Sequence, residues 1–368
     1  MEFSRTLKHH FKSKSGWLND PNGLVYFKGN YHLFYQHAPH YEDPFIEPMY
    51  WGHCITKDFN TFEELEPALA PELPYEKEGC WSGTAVVKDD TLYLFYASVI
   101  TEGDKRFDKQ TVSVAYSKDG IKFEKFAGNP VIRTFPNDGS DEFRDPAIID
   151  NGDTYYLVMA TGHYDDKKAR LVYYESDDLL HWDYKGIMVE WDDKKFCECP
   201  SFMKYDDKYL LTSSVCAYDK SHFFSIMYGD FDGKTFKPLI TTSLNKGPDQ
   251  YAGQVFLDHK NRHILISWIT GWHFERYHEF SLGCLSTPIE LKVKDDKIVG
   301  WPIEECQHLL KDDDENIIHT EDGFVIKRET KEDVVYKGKI EDMKVIRDEY
   351  ILEIYLNHGE EIYTVVLC

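Results

Sequence analysis

Five stretches of the chain repeat one pattern. Each has an apolar strand, a polar turn with Gly, Asn or Asp, a Tyr-rich strand and a third strand, then a Ser/Lys-Asp turn leading to an aromatic residue. The first is GLVYFKGNYHLFYQ followed by WGHCITKDFNTFEEL, and the second is GTAVVKDDTLYLFYAS followed by TVSVAYSKDGIKFEKF. AIIDNGDTYYLVMAT with ARLVYYESDDLLHWDY and SFMKYDDKYLLTSS with FSIMYGDFDGKTFKPL continue the series, and QVFLDHKNRHILISWIT with SLGCLSTPIELKV is a more diverged fifth. The period is uneven, roughly 50 to 65 residues. Alternating apolar and polar positions, rich in β-branched and aromatic residues, predict a four-stranded antiparallel sheet for each unit. A lone four-stranded sheet cannot cover both its faces, whereas radial stacking of several does. The repeat therefore predicts an all-β chain with a five-bladed β-propeller over residues 1–300. The high aromatic content, 15%, then has a structural use between blades.

Beyond Gly300, the spacing of Ile303, Cys306, Leu309 and Leu310 predicts a linker helix over 301–312, followed by the acidic break DDDEN. Short strands then predict a small C-terminal β module over 313–368, too small to be stable by itself and expected to lie against the propeller.

The charge balance excludes further classes. Lys plus Arg number 42 against 65 Asp plus Glu, a formal charge of −23 with no segregated basic patch, which disfavours nucleic acid and anionic membranes as partners. No apolar run reaches the roughly 18 residues of a membrane span. The N-terminal MEFSRTLKHHFKSKSG lacks the apolar core of a secretory signal, and the eight cysteines are too irregularly spaced for a disulfide framework. A cytoplasmic protein with free thiols is expected, as monomer or homodimer.

Three carboxylates stand out against the repeat. Asp20 in WLNDPNG, Asp145 in FRDP and Glu198 in CECP each fall just before the first strand of a unit, with a proline within two residues. First strands line the channel of a propeller, so the three acids are expected to meet at one mouth. Taken singly, each is better explained as a turn or strand-start residue. Together they suggest glycoside hydrolysis, where two carboxyl groups flank the scissile bond and crowded acids divide acid and base work. Strand alternation places Cys197 and Cys199 on the face opposite Glu198, pointing into the blade, so Cys-x-Cys is expected to pack rather than bind metal. The histidines form no HExxH pattern and no calcium loop is present, so no metal and no cofactor is expected.

GWLNDPNGLVYFKGNYHLFYQ, followed in order by WGH, WSG, FRDP, ECP, DQYAGQ and a tryptophan before the last inner loop, resembles glycoside hydrolase family 32, over about residues 9 to 310. The family comprises invertases, fructan hydrolases and sucrose-6-phosphate hydrolases. The resemblance implies a five-bladed propeller followed by a β-sandwich, here shortened. It also implies a retaining β-fructofuranosidase acting on a small sugar: sucrose, sucrose 6-phosphate or short fructo-oligosaccharides. Asp20 is implied as nucleophile, Glu198 as general acid/base and Asp145 as the acid that stabilises the transition state. Asn19, Gln36, Trp51, Trp81, Ser82, Arg144, Asp249 and Trp268 are implied as walls and hydrogen-bond partners of the fructosyl pocket. Blade core is the alternative reading for Trp51 and Trp268, and pairing to an acid for Arg144. TPIELKV departs from the family's usual LPREL by placing Ile289 where Arg is expected. A phosphorylated sugar would need nearby cations, for which His32, Lys57 and Arg170 are candidates. Fructosyl transfer by the same acids, and a non-catalytic carbohydrate-binding propeller, are the alternatives.

Overall fold

In the computed structural model, residues 6–219, 221–270, 283–329 and 331–368 are described. Strands dominate, grouped into five successive antiparallel sheets and two smaller ones. Sheet I is drawn from residues 17–69, sheet II from 79–125, sheet III from 143–192 and sheet IV from 194–242, each with strands side by side in chain order. Sheet V, from 250–302, has four strands in chain order plus the short Cys284–Leu285 strand pairing with His263–Ile269. Hairpin turns follow from local chemistry. Lys28-Gly29, Asp89-Asp90 and Asp295-Asp296 all adopt positive φ, which matches the twist of the strands they join. Part of the acidic excess sits in such solvated turns.

The first strand of each sheet is central to the molecule. These strands are Trp17–Phe27, Gly79–Lys88, Phe143–Asp150, Lys194–Tyr205 and Gln250–Leu257. Each touches the next in turn, and that of sheet V touches that of sheet I. Apolar clusters fill the spaces between adjacent sheets: Phe95, Val114 and Leu157 between II and III, and Val158, Leu171 and Leu211 between III and IV.

The three acids lie within these first strands, not before them. Every first strand carries a β-bulge at the same level, where strand pairing slips by an extra residue: after Leu18 and again after Asn22, after Trp81, after Arg144, after Glu198 and after Tyr251. In four of them the residue following the break is left-handed: Gly23, Asp145, Cys199 and Ala252, with φ of 51°, 60°, 48° and 52°. Bulges re-aim side chains and are frequent beside functional sites. They also correct the alignment read from the repeat. Arg144, Glu198 and Tyr251 are equivalent, and Asp145 is equivalent to Cys199 and Ala252, so the acids occupy different positions on their strands. Pro146 and Pro200 are the positions that match.

The predicted helix over 301–312 is a single 3₁₀ segment, Glu304–Leu309. Trp301 and Pro302 belong to the last strand of sheet V, and the three-residue spacing of Ile303, Cys306 and Leu309 suits a 3₁₀ turn, which buries Ile303 and Cys306. The C-terminal residues form two three-stranded sheets around one apolar cluster that includes Phe324, Ile326, Val345, Ile354 and Val365. Among the described residues no helix is long and apolar enough to cross a membrane.

The N-terminal segment is fastened to this module through charge. Asp348 accepts backbone N–H bonds from Lys8, His9 and His10, and the buried His10 ring lies 3.0 Å from both Asp348 Oδ2 and Glu353 Oε2. Burial opposes charging the imidazole, but hydrogen bonds and the charges of both carboxylates outweigh it and raise its pKa to about 9. A raised histidine stabilises fully below pH 6.5 and loses that contribution as pH rises through about 9. The expected outcome is a Tm decline between pH 7 and 9.5, with about 2–3 kcal/mol of stability lost. In His10→Gln this slope should be flattened, as thermal melts of both proteins across that range would show.

Candidate active site

The five bulged strands surround a cavity of about 610 Å³, to which every one of them contributes. Asn19 and Asp20 come from sheet I, Trp81 and Ser82 from II, Arg144 and Asp145 from III, Glu198 from IV and Tyr251 from V, with Gln36 from the second strand of sheet I. The mouth carries Phe45, Phe107, Phe196 and Tyr218, together with Lys105, Arg106, Lys195, Glu47 and Glu78.

Each acid has its own set of partners. Asp20 accepts hydrogen bonds from Asn19 Nδ2 at 3.0 Å and Ser82 Oγ at 2.8 Å, and Cys199 Sγ lies 3.5 Å from its Oδ2. The backbone N–H of Cys199 donates to Asp145 Oδ2 at 2.8 Å, while its thiol is 3.6 Å from the same oxygen. The Cys199 thiol therefore faces two of the acids, contrary to the alternation argument. The bulge after Glu198 breaks the period of two, and only Cys197 points into the blade, toward the carbonyls of Thr161 and Arg170. Glu198 Oε1 accepts from Arg144 Nε at 3.1 Å and Nη2 at 2.9 Å, and its Oε2 accepts from the Tyr251 hydroxyl. Cys216 Sγ lies 3.0 Å from that hydroxyl. Arg144 is held in turn by Glu142 at 2.6 Å and Gln110 at 3.3 Å.

Burial is the main electrostatic force on this cluster. It raises Asp20, with the charge of Glu198 adding to it and hydrogen bonds from Ser82, Asn19 and Cys199 opposing. Burial also raises Asp145, to about 7, with Arg144 opposing and Glu198 and Asp20 contributing further. Arg144 sits well above its ordinary value: burial disfavours its charge, but Glu198, Glu142 and Asp145 overcome that. One permanent cation among these anions limits the cost of collecting three carboxyls in one enclosed place.

Eight of the eleven residues expected at the site line the cavity: Asn19, Asp20, Gln36, Trp81, Ser82, Arg144, Asp145 and Glu198. Trp51, Trp268 and Asp249 do not. Trp51 is fully buried behind the wall, where its Nε1 donates to the Trp81 carbonyl at 2.9 Å. Trp268 is fully buried, edge-on to Trp17 at 5.6 Å. Asp249 is buried against the C-terminal module, bonded to Arg328 Nη1 at 2.7 Å and the Val366 N–H at 2.8 Å. None of the three candidate cations reaches the cavity. His32 is buried against His53, Arg170 pairs with Asp166 and Glu190, and Lys57 lies outside. Tyr251, Cys216, Gln110 and Glu142 escaped sequence reasoning. Aligning Arg-Asp-Pro with Glu-Cys-Pro and Tyr-Ala-Gly, one residue offset from the acids, would have exposed Tyr251.

A carboxyl whose folded pKa is raised destabilises the fold once ionised, and this penalty grows as pH rises from the unfolded value of 3.8 through about 7. Asp145→Asn removes the buried charge. It is expected to stabilise the protein by about 2–4 kcal/mol at pH 8, with the gain shrinking towards zero near pH 4, as denaturant titrations at the two pH values would show.

Comparison with known proteins places this geometry. Residues 10–302 match the model of the glycosyl hydrolases family 32 N-terminal domain. A sucrose-6-phosphate hydrolase of Zymomonas mobilis subsp. mobilis is 32% identical over 324 residues, which cover 82% of this chain and 62% of that protein. The chain thus spans less than two thirds of that relative's length. A sucrose-6-phosphate hydrolase of Bacillus subtilis is 29% identical across 96% of this chain and 87% of its own. Among solved structures, a GH32 beta-fructofuranosidase of Bombyx mori superposes with a TM-score of 0.84 at 27% identity, covering 99% of this chain and 89% of that one. The family model extends over most of the chain and spans every residue of the carboxylate cluster, so the chain belongs to glycoside hydrolase family 32.

Proposed function

We propose that the protein is a retaining β-fructofuranosidase that releases terminal fructosyl units from sucrose, sucrose 6-phosphate or short fructo-oligosaccharides. The observation that carries this reading is the meeting of Asp20, Asp145 and Glu198, from three different sheets, in one cavity, with Arg144 paired to Glu198. The names of the relatives, sucrose-6-phosphate hydrolases and a raffinose invertase among them, support the substrate class. A five-bladed propeller over 1–300 and a shortened sandwich-like module over 313–368 belong to the same proposal. The circuit of contacts among the five first strands supports the first, and the two three-stranded sheets support the second.

In this mechanism an Asp20 oxygen attacks the anomeric carbon of the fructosyl unit while the bond to the leaving oxygen breaks. Glu198 gives its proton to that oxygen. Water then attacks the same carbon, Glu198 takes the water's proton, and the ester to Asp20 breaks with retention. Asn19, Ser82 and Cys199 fix the Asp20 carboxylate for attack, and Arg144 and Tyr251 fix Glu198. Asp145, bonded to the Cys199 N–H, stands beside the developing positive charge and the sugar hydroxyls.

Product analysis of the purified protein on sucrose, sucrose 6-phosphate, kestose and inulin tests the reading, and release of fructose from none of them would overturn it. Asp20→Asn and Glu198→Gln should each lower kcat by about 10³-fold or more in protein that remains folded, and Asp20→Asn, which removes a buried charge, should raise Tm at pH 8. Azide should partly restore turnover of an activated substrate by Glu198→Gln, and near-normal sucrose cleavage by Asp20→Asn would remove the nucleophile assignment. Lys105 and Lys195 at the mouth can face an anionic leaving group. Replacing both with Gln should lower kcat/KM for sucrose 6-phosphate about tenfold and for sucrose less than about threefold.

A further inference from the structure

Asp249 is an unusual residue to find where it is. It immediately precedes the strand that forms the cavity wall in sheet V, Gln250–Leu257, yet its carboxylate is fully buried against a different part of the chain. Its Oδ2 accepts from Arg328 Nη1 at 2.7 Å and from the Val366 N–H at 2.8 Å. The guanidinium is fixed on its other side, with Nε donating to the Glu332 carbonyl at 2.8 Å. A buried ion pair is seldom a net gain in stability over an apolar pair, and its best-attested use is to fix one arrangement out of several.

What it fixes here is the stretch leading to Tyr251. Residues 244–249 lie along the closing strand of the C-terminal module, Glu361–Val366. Lys246 N–H donates to the Ile362 carbonyl at 2.8 Å, Ile362 N–H to the Leu244 carbonyl at 3.0 Å, and Asn245 Nδ2 to Thr364 Oγ1 at 2.6 Å. Gly247 is so close that a Cβ there would meet Thr364 N at 2.3 Å, so this approach admits no side chain. Tyr251 is two residues beyond Asp249 and immediately before left-handed Ala252, between an anchor and a bulge. Its hydroxyl bonds Glu198 and its ring lies edge-on to His222 at 4.5 Å.

We infer that the C-terminal module takes part in the chemistry through Arg328 and Asp249, which act as positioning residues by holding Tyr251 against Glu198. The inference rests on the proposed role of Glu198 as acid/base. Arg144 grips one carboxylate oxygen of Glu198 and Tyr251 the other, so losing the second grip frees the group to rotate about the first. Among the described residues, Asp20, Asp145, Cys197, Cys199 and Cys216 also interact electrostatically with Glu198, and none of them is hydrogen-bonded to Arg328.

A mutant cycle in the full chain tests this. Asp249→Asn combined with Arg328→Met removes both charges and leaves neither buried alone. Tyr251→Phe is expected to lower kcat on sucrose about tenfold with KM within about twofold. Its alkaline pH limb should move upward, because a hydroxyl donating to a carboxylate favours the charged form. The neutral pair is expected to lower kcat about fivefold with the same limb movement, and to add less than about 1.5-fold in the Tyr251→Phe background, since both act through one contact. Arg328→Lys should recover most of the loss. An unchanged pH limb in the neutral pair, or effects that multiply, would overturn the inference. A 3-fluorotyrosine at position 251 supplies a reading independent of turnover: its ¹⁹F resonance should move in Glu198→Gln and in the neutral pair. If the protein cleaves no fructoside, the β-fructofuranosidase reading fails. A ¹⁹F resonance indifferent to the neutral pair defeats the positioning claim whether or not the protein is active.

Discussion

The extra residue in each first strand is the constraint on which the rest of this molecule depends. A regular strand would send successive side chains alternately into and away from the central space. The bulges break that alternation at a common level in all five sheets. Consecutive residues such as Arg144 and Asp145 then both line the cavity, and Cys199, next to Glu198, turns its thiol toward Asp20 and Asp145. The left-handed backbone at Asp145, Cys199 and Ala252 is uncommon for residues other than glycine, each instance costing on the order of 1 kcal/mol or more, and such strain is characteristic of working sites. Sheet pairing on either side of the bulges holds that conformation in place.

Electrostatics follows from this geometry. Equivalent positions on adjacent sheets become neighbours, which sets Arg144, Glu198 and Tyr251 in a row with the glutamate between two donors. The left-handed residue of sheet IV points its N–H at the left-handed residue of sheet III, giving Asp145 its backbone partner. A chain with a formal charge of −23 thus sets Glu198, Glu142 and Asp145 about the Arg144 guanidinium, with burial raising Asp20 and Asp145.

The C-terminal module joins the rest through charge as well as apolar contact. Asp348 collects the N-terminal segment and His10, and Arg328 collects Asp249. Both connections are buried, so they specify where the module sits, and the second ends two residues from the tyrosine that bonds Glu198.

The five sheets and their order were legible in the sequence, because alternation of apolar and polar residues and two-residue acidic turns are local properties of the chain. Asp20, Asp145, Glu198 and five companions were legible from motifs. The helix over 301–312 was not, since a three-residue apolar spacing serves a 3₁₀ turn as well as an α-helix, and strand pairing by Trp301 and Pro302 took the first two positions. Trp51, Trp268 and Asp249 were assigned to the pocket, but residue type alone does not say which face of a strand a side chain takes. The sequence by itself determined the strands, the turns and the identity of the carboxylates. Which side chains face one another was decided by tertiary structure: register and bulges are set by pairing between neighbouring strands, and the circuit of sheets by packing between residues far apart in the chain.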